Sequence, residues 1–542
     1  MSDSTSTDHA PGGWARFQRD LTASIVVFLV ALPLCMGIAI ASGVPVAAGL
    51  LTGIVAGIVV GSLAGCPLQV SGPAAGLAVI VYEIVQRFGF DALGVIVLIA
   101  GLFQLLAGVA QVGQWFRAVS PAVIKGMLAG IGALIFLSQF HVMLDARPSG
   151  SAFSDLVNIP ASIGKTFTQG GLAPREQRVA RSTHLRSVRQ LRLRQLEIQE
   201  RVEALVPSNA KPPQFAASLE KQLESETERS RHIVAAMVKT DEKMPKVLAD
   251  LQSGMLLSAV QSQAAAVAAF DEYLSSLKNH TLAAQIGLLT IVAIVIWPLV
   301  VPERLKPIPG PLVAVILATG ISVALALPVV YVDVPDNLLN EIQIPDWSLL
   351  QEISWIGIVQ AAAALAAVAS AETLLCATAT DQMHTGPPTK YNRELCAQGV
   401  GNVICGFIGA LPMTGVIVRS TANIEAGGKT RLSAVMHGIW LLLFVAFFAS
   451  WLQSIPTSVL AAILVYTGYR LMNPTSVRKL KQFGWGEVAI YAVTVITIVF
   501  VDLLTGIVAG VVLATVKLLH QLSGLHAELE GDDDSDARRL VL

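Results

Sequence analysis

Fourteen apolar segments follow one another between Leu21 and Gln521, and a hydrocarbon layer about 30 Å thick needs roughly 20 helical residues to cross it. Eleven of the segments approach or reach that length: 21–43, 46–64, 92–112, 120–143, 282–300, 311–332, 355–378, 432–451, 455–472, 486–501 and 503–521. Three are shorter: 70–85, entered through SGPAAG (Ser71 to Gly76), 395–409, and 416–426, entered through LPMTGV (Leu411 to Val416). In lipid a chain satisfies its own backbone as helices or as a closed barrel, and runs this long are helices. The expected fold is therefore an all-α polytopic membrane protein of about 14 transmembrane segments. Only 14% of residues are charged, against about 25% in soluble domains, which excludes a purely soluble or disordered chain. The first run is too long for a signal peptide, has no A-x-A site and leads straight into a second, so it reads as a span.

The charge is unevenly spread. Residues 174–280 carry 16 Lys+Arg and 13 Asp+Glu in 107 positions, whereas the other 435 residues carry only 46 charges. A soluble insert thus interrupts a membrane domain. Within it Leu185, Val188, Leu191, Leu196, Val202 and Leu205 recur at helical spacing, with breaks expected at Pro207, Pro212-Pro213 and Pro245. Two to four antiparallel helices are expected there. Positive residues in short loops orient the chain. With the N-terminus in the cytoplasm, 13 of them fall in inner loops, from Arg16 to Lys481, and Arg87 alone in the outer ones outside the insert and its flanks. The resulting plan is a cytoplasmic segment 1–20, spans one to five in 21–143, and an extracytoplasmic loop 144–280 holding the helical insert. Spans six and seven follow in 281–332, a second outer loop in 333–354, spans eight to fourteen in 355–521, and an acidic, unstructured cytoplasmic tail in 522–542. The expected location is a plasma membrane, the inner membrane of a bacterium, with the insert periplasmic or extracellular.

The two Gly/Pro-broken segments lie at matching places in two halves of seven spans. That pattern points to an inverted-repeat transporter with its site at mid-membrane. The third span runs outward and the tenth inward, each starting extended and turning helical near the middle. Their helix N-termini, with unpaired N–H groups and about half a positive charge each, would face one point and hold an anion. The substrate-facing candidates are Ser71, Gly72, Pro73, Ala74 and Ala75 on one side, and Thr414, Gly415, Val416 and Ile417 on the other. Glycine allows close backbone approach, and Ser71 and Thr414 offer hydroxyls. Two intramembrane charges, Glu372 and Arg419, border this point, and such charges usually mark an ion or proton pathway. The competing structural expectation is a buried Glu372–Arg419 pair. Asp502 is expected to be solvated at an outer turn. The nine histidines lack metal-ligand spacing, the five cysteines lack CxxC spacing, and neither a P-loop nor a nucleophile elbow occurs. No enzyme, cofactor or metal is therefore expected, and a net charge of −1 gives no surplus for nucleic acid.

At ALPLCMGIAIASGVPVAAGL (31–50), QVSGPAAG (69–76), SPAVIKGMLAGIG (120–132), SAETLL (370–375), NRELCAQGVGN (392–402) and LPMTGVIVRSTANIEAGGKTRLSA (411–434) the sequence resembles the SulP family of sulfate permeases and bicarbonate transporters. The resemblance implies a seven-plus-seven inverted repeat. It further implies a core of spans one to four and eight to eleven, a gate of spans five to seven and twelve to fourteen, elevator-type movement, and an acidic coupling residue at Glu372. Three departures stand out. Cys376 and Ile417 occupy places where sodium-coupled relatives carry hydroxyl residues, and thiol and alkyl groups suit a hard cation poorly, so proton coupling or anion exchange is favoured. With 21 residues after Gln521, the C-terminal STAS domain usual in the family is not expected here. An extracytoplasmic insert of this kind is not a usual feature of the family. The expected function is secondary active transport of sulfate, bicarbonate or chloride, in a homodimer if the family habit holds. A nucleobase-type carrier of the same fold, an anion channel, and a sensor built around the insert are the alternatives.

Overall fold

The computed structural model describes residues 13–114, 120–146, 148, 152–167, 173–205, 266–268, 270, 278–302, 305, 308–334, 341–345, 355–473, 475–523, 528–530 and 539–541. Among these, fourteen helices stand where the apolar segments were read. They are α1 (Gly13–Ala41), α2 (Val46–Val55, continued through a π turn to Leu63), α3 (Ala75–Phe88), α4 (Phe90–Val109), α5 (Pro121–Met143), α8 (His280–Val300) and α9 (Gly310–Ala324) in the first half. The second half supplies α10 (Trp355–Gln382), α11 (Tyr391–Phe407), α12 (Ile417–Glu425), α13 (Leu432–Leu452), α14 (Thr457–Met472), α16 (Trp485–Phe500) and α17 (Leu503–Ser523). Three more helices lie outside this set: α6 (Ala152–Phe167), α7 (Arg175–Leu205) and α15 (Thr475–Lys481). The fold is a helical seven-plus-seven inverted repeat.

Small residues bring the helices of the membrane unit together. A Cβ on Gly399 of α11 would lie 2.6 Å from the Leu105 amide nitrogen of α4, so the two helices meet backbone to backbone. α4, α10 and α11 pack as one group, as do α1, α2 and α13, while α5 packs against α14, α16 and α17. The half-helices are short for evident reasons. α3 ends at Gly89 (φ +82°) and α12 gives way to Gly427 (φ +90°), both in the left-handed region that glycine adopts without strain.

Two expectations need correction. The seventh span was read to residue 332, but its helix stops at Ala324. Ala326 turns with φ +48°, Pro328 cannot continue the ladder, and Tyr331 bridges to Pro456 instead. The C-terminal tail is not wholly irregular. Strands β3 (Glu528–Glu530) and β4 (Arg539–Val541) pair antiparallel with Leu529 opposite Leu540, on either side of a Gly/Asp-rich run of turn-forming composition. Asp502 accepts hydrogen bonds from the Thr505 amide and hydroxyl, and so caps α17.

The chain divides into a membrane unit (1–163, 286–319, 331–542) and a second unit (164–285 with 320–330). In the second unit α7 buries Leu185 and Val188 of the insert's expected stripe and half-buries Leu191, with Ile198 buried as well, while the side chains of Leu196, Val202 and Leu205 lie outside the described residues. Ala266, Val267 and Phe270 are also buried. The breaks expected at Pro207, Pro212-Pro213 and Pro245 lie outside the described residues.

Candidate functional site

Each half of the membrane unit builds the same device from an extended tripeptide followed by a helix. β1 (Ser71–Pro73) leads through Ala74 into α3, and β2 (Met413–Gly415) leads through Val416 into α12. Proline explains part of the extension. Pro73 cannot donate to a ladder and holds Gly72 extended, and Pro412 precedes β2. The strands pair antiparallel in the register Ser71–Gly415, Gly72–Thr414 and Pro73–Met413, and the Val416 amide extends the ladder by donating to the Val70 carbonyl at 2.9 Å. Because the strands are antiparallel, the two helices leave in opposite directions and both present N-termini to the pair. Neither N-terminus has a side-chain cap. The amides of two first turns are thereby left to a ligand.

All nine substrate-facing candidates thus sit in the strand pair or the first turns beside it. Strand alternation separates their surroundings. The Ser71 hydroxyl oxygen accepts from Gln398 Nε2 at 2.6 Å, and a Cβ on Gly415 would collide with the Gln69 amide, so this side looks toward α11. On the other side a Cβ on Gly72 would collide with the Arg419 guanidinium, and one on Gly76 would come within 2.8 Å of Glu372 Oε2. A side chain at either place would have to displace the tip of Arg419 or of Glu372.

Among the side chains beside the strand pair left with buried, unpartnered atoms are the two charged groups Arg419 and Glu372. Arg419 is 0% exposed; its Nη2 donates to Cys35 Sγ at 3.3 Å, and its Nε and Nη1 have no hydrogen-bond partner. Glu372 Oε2 is likewise buried without one, and Thr414 is placed to hydrogen-bond the carboxyl group. Among the described residues they form no ion pair with each other, so the expected alternative of a structural Glu–Arg pair is not what the chain builds. Cys376, one turn along α10 from Glu372, has its sulfur 3.5 Å from Ser420 Oγ. Among the described residues no group of three or more His, Cys, Asp or Glu side chains could hold a metal.

Sequence reading missed the scaffold that fixes the strand pair. Glu394 of α11 is fully buried and accepts four hydrogen bonds: from the Gly65 and Cys66 amides at 2.7 and 2.9 Å, and from Gln69 and Gln398 Nε2 at 2.9 and 3.0 Å. Two turns further along α11, Asn402 clips β2 by accepting from the Met413 amide at 2.7 Å and donating to its carbonyl at 3.1 Å. Its amide also reaches Gln104 Oε1 at 2.6 Å. Thr373 accepts from the Gly415 amide at 3.2 Å, and Ser420 accepts from the Val70 amide at 3.0 Å. A strand pair too short to satisfy itself is thereby completed by side chains. The signal was present: Glu394, Gln398 and Asn402 recur every four residues, a polar stripe along one face of a helix in an otherwise apolar chain.

Comparison with known proteins agrees with this architecture. A sequence model described as the sulfate permease family matches residues 17–173 and 247–494. YvdB of Bacillus subtilis, provisionally named a sulfate transporter, is 25% identical over 94% of this chain and 74% of its own length. The bicarbonate transporter BicA of Picosynechococcus is 22% identical over 94% of this chain and 71% of its own. Among solved structures, the transmembrane domain of a cyanobacterial bicarbonate transporter BicA superposes with a TM-score of 0.62 at 20% identity, covering 92% of this chain and 98% of that one. The murine Slc26a9 anion transporter in its inward-facing state gives a TM-score of 0.60 at 15% identity, over 96% and 72%. At these identities the structural likeness speaks for the fold.

Proposed function

The chain belongs to the sulfate permease family, and from that membership we propose that it is a secondary active transporter of a small inorganic anion: sulfate, bicarbonate or chloride. One observation carries the proposal. Two uncapped helix N-termini converge on one strand pair, beside a buried arginine that forms no ion pair among the described residues. A buried cation without a counter-charge is costly, and an anion resting against the first-turn amides of α3 and α12 would supply the missing charge. In this proposal the backbone of Ser71 to Ala75 and Thr414 to Ile417 lines the site, Arg419 raises its positive potential, and Thr414 contributes a hydroxyl.

Glu372 is the proposed coupling group. A carboxyl with a free oxygen in a low-dielectric setting can take a proton when the anion is bound and release it when the site opens. Anion exchange is the second form of coupling compatible with these residues. Sodium coupling is disfavoured, because Cys376 and Ile417 supply a thiol and an alkyl group where a hard cation needs oxygen. We take the movement to be of the elevator type, spans one to four and eight to eleven carrying the site past the remaining six. Both termini are placed in the cytoplasm, and the insert outside it, in a bacterial inner membrane.

The test is reconstitution in vesicles with labelled sulfate, bicarbonate and chloride, each with and without sodium and proton gradients. Saturable uptake of at least one anion, stimulated by a proton gradient or by anion on the far side, is expected. Uptake that never saturates and shows no trans-stimulation would make the protein a channel. Loss of all uptake on removing residues 174–280 from a protein that still folds would favour an insert-dependent receptor.

A further inference from the structure

Between the fifth span and the insert lies α6, a helix built inside out. Over residues 152–163 its exposed surface is made of Phe153, Leu156, Val157, Pro160, Ala161 and Ile163, while Asp155 and Ser162 are buried against the protein. At 100° per residue the six exposed apolar positions fall within one stripe about 160° wide. A helix resting on a water-soluble surface shows the opposite pattern, with polar residues outward. Asn158, at the margin of the stripe, is the one exposed polar side chain among residues 155–163. The helix also packs against the end of an apolar helix of the membrane unit. Phe153 packs on Phe500, ring centroids 6.3 Å apart, at the end of α16, whose Ile496 and Phe500 are each 56% exposed on the outside of the membrane unit. The apolar stripe of α6 therefore continues the lipid-facing surface of α16.

We propose that α6 is an interfacial membrane helix, its outward stripe seated among phospholipid acyl chains at the edge of the bilayer. The occupant is lipid, because the stripe is uncharged, continuous with a surface that faces lipid, and carried on a helix whose polar groups are turned inward. The chain enters the charged insert only after this helix. The segment 144–173 is in this way more than the aqueous loop its sequence position implied.

The experiment uses the full chain with Cys396, the one native cysteine that is not buried, replaced by Ala. Leu156→Cys, Val157→Cys and Asn158→Cys are each labelled with a small environment-sensitive fluorophore and reconstituted in phosphatidylcholine vesicles. Quenching by a nitroxide placed high on the lipid acyl chain is expected to exceed quenching by aqueous iodide several-fold at 156 and 157, with the order reversed at 158. Equal access of iodide to all three positions would overturn the proposal. So would efficient cross-linking of Val157→Cys between two copies together with indifference to lipid nitroxide, which would make the stripe a protein–protein surface. Because labelling could disturb the helix, Leu156→Gln with Val157→Gln offers an independent check. Facing outward, this pair is expected to leave the melting temperature in detergent unchanged, while iodide access to a label at Ile163→Cys rises at least twofold in vesicles; unchanged access would count against lipid seating.

Discussion

Two carboxyl groups with buried oxygens, Glu372 and Glu394, 22 residues apart in sequence, lie on opposite sides of one strand pair and have opposite surroundings. Glu394 has a donor for every demand: two amides and two glutamine side chains hold it. Glu372 keeps one oxygen without a partner, and Arg419 keeps two nitrogens so. A buried polar group that is fully satisfied is scaffold, since any change of state costs all its bonds at once. A buried polar group left unsatisfied is poised for something that comes and goes. Gln69 Oε1 and Gln398 Oε1 also lack partners, so the contrast holds for the charged groups: Glu394 makes the α11 side scaffold, and the side bearing Glu372 and Arg419 is the working one.

The sharpest way to break this contrast is Glu394→Leu. It strands four donors and should destabilise the protein by roughly 3–5 kcal/mol, read as a large fall in melting temperature or failure to purify as a single species. Equal stability of Glu394→Leu and wild type would end the scaffold assignment. Next in size is Gly72→Val, whose side chain would occupy the space of the Arg419 guanidinium. Anion affinity should drop by about 100-fold, which corresponds to about 2.7 kcal/mol by equilibrium binding. Glu372→Gln should leave anion affinity within about threefold and stability nearly unchanged, because no bond network depends on it, yet abolish the dependence of uptake on a proton gradient. Persisting proton dependence in vesicles would assign coupling elsewhere. The smallest effect is expected for Thr414→Val, about 1 kcal/mol or some fivefold in affinity for the loss of one neutral hydrogen bond.

The helical plan was legible because the bilayer asks about 20 apolar residues of a full crossing, and seven helices, among them Arg16–Ala41 and Leu432–Leu452, meet that length while shorter apolar helices mark the rest. The broken helices were legible because Gly72, Pro73, Pro412 and Gly415 interrupt two apolar runs at matching positions. What escaped were features set by partners distant in sequence. Glu394 lies in a segment that reads as a short span, and only folding brings it to Gly65, Cys66 and Gln69, more than 300 residues earlier. Ser71 looked like a free hydroxyl donor until Gln398 was found at its oxygen. The inversion of α6 could not be read either, since periodicity gives two faces and does not say which one turns outward. Buried histidine His437, whose Nδ1 faces the Ala434 carbonyl, went unmarked for the same reason.

The central claim is that Arg419 is left without a counter-charge so that an anion can provide it. Equilibrium binding of sulfate, bicarbonate and chloride to purified wild type and Arg419→Met tests it most directly. Replacing a buried charge by an apolar side chain of similar length is often neutral or stabilising. The expected result is therefore a variant that melts no lower than wild type and has lost at least tenfold in affinity for the anion wild type prefers. A variant that binds that anion as tightly as wild type would contradict the claim.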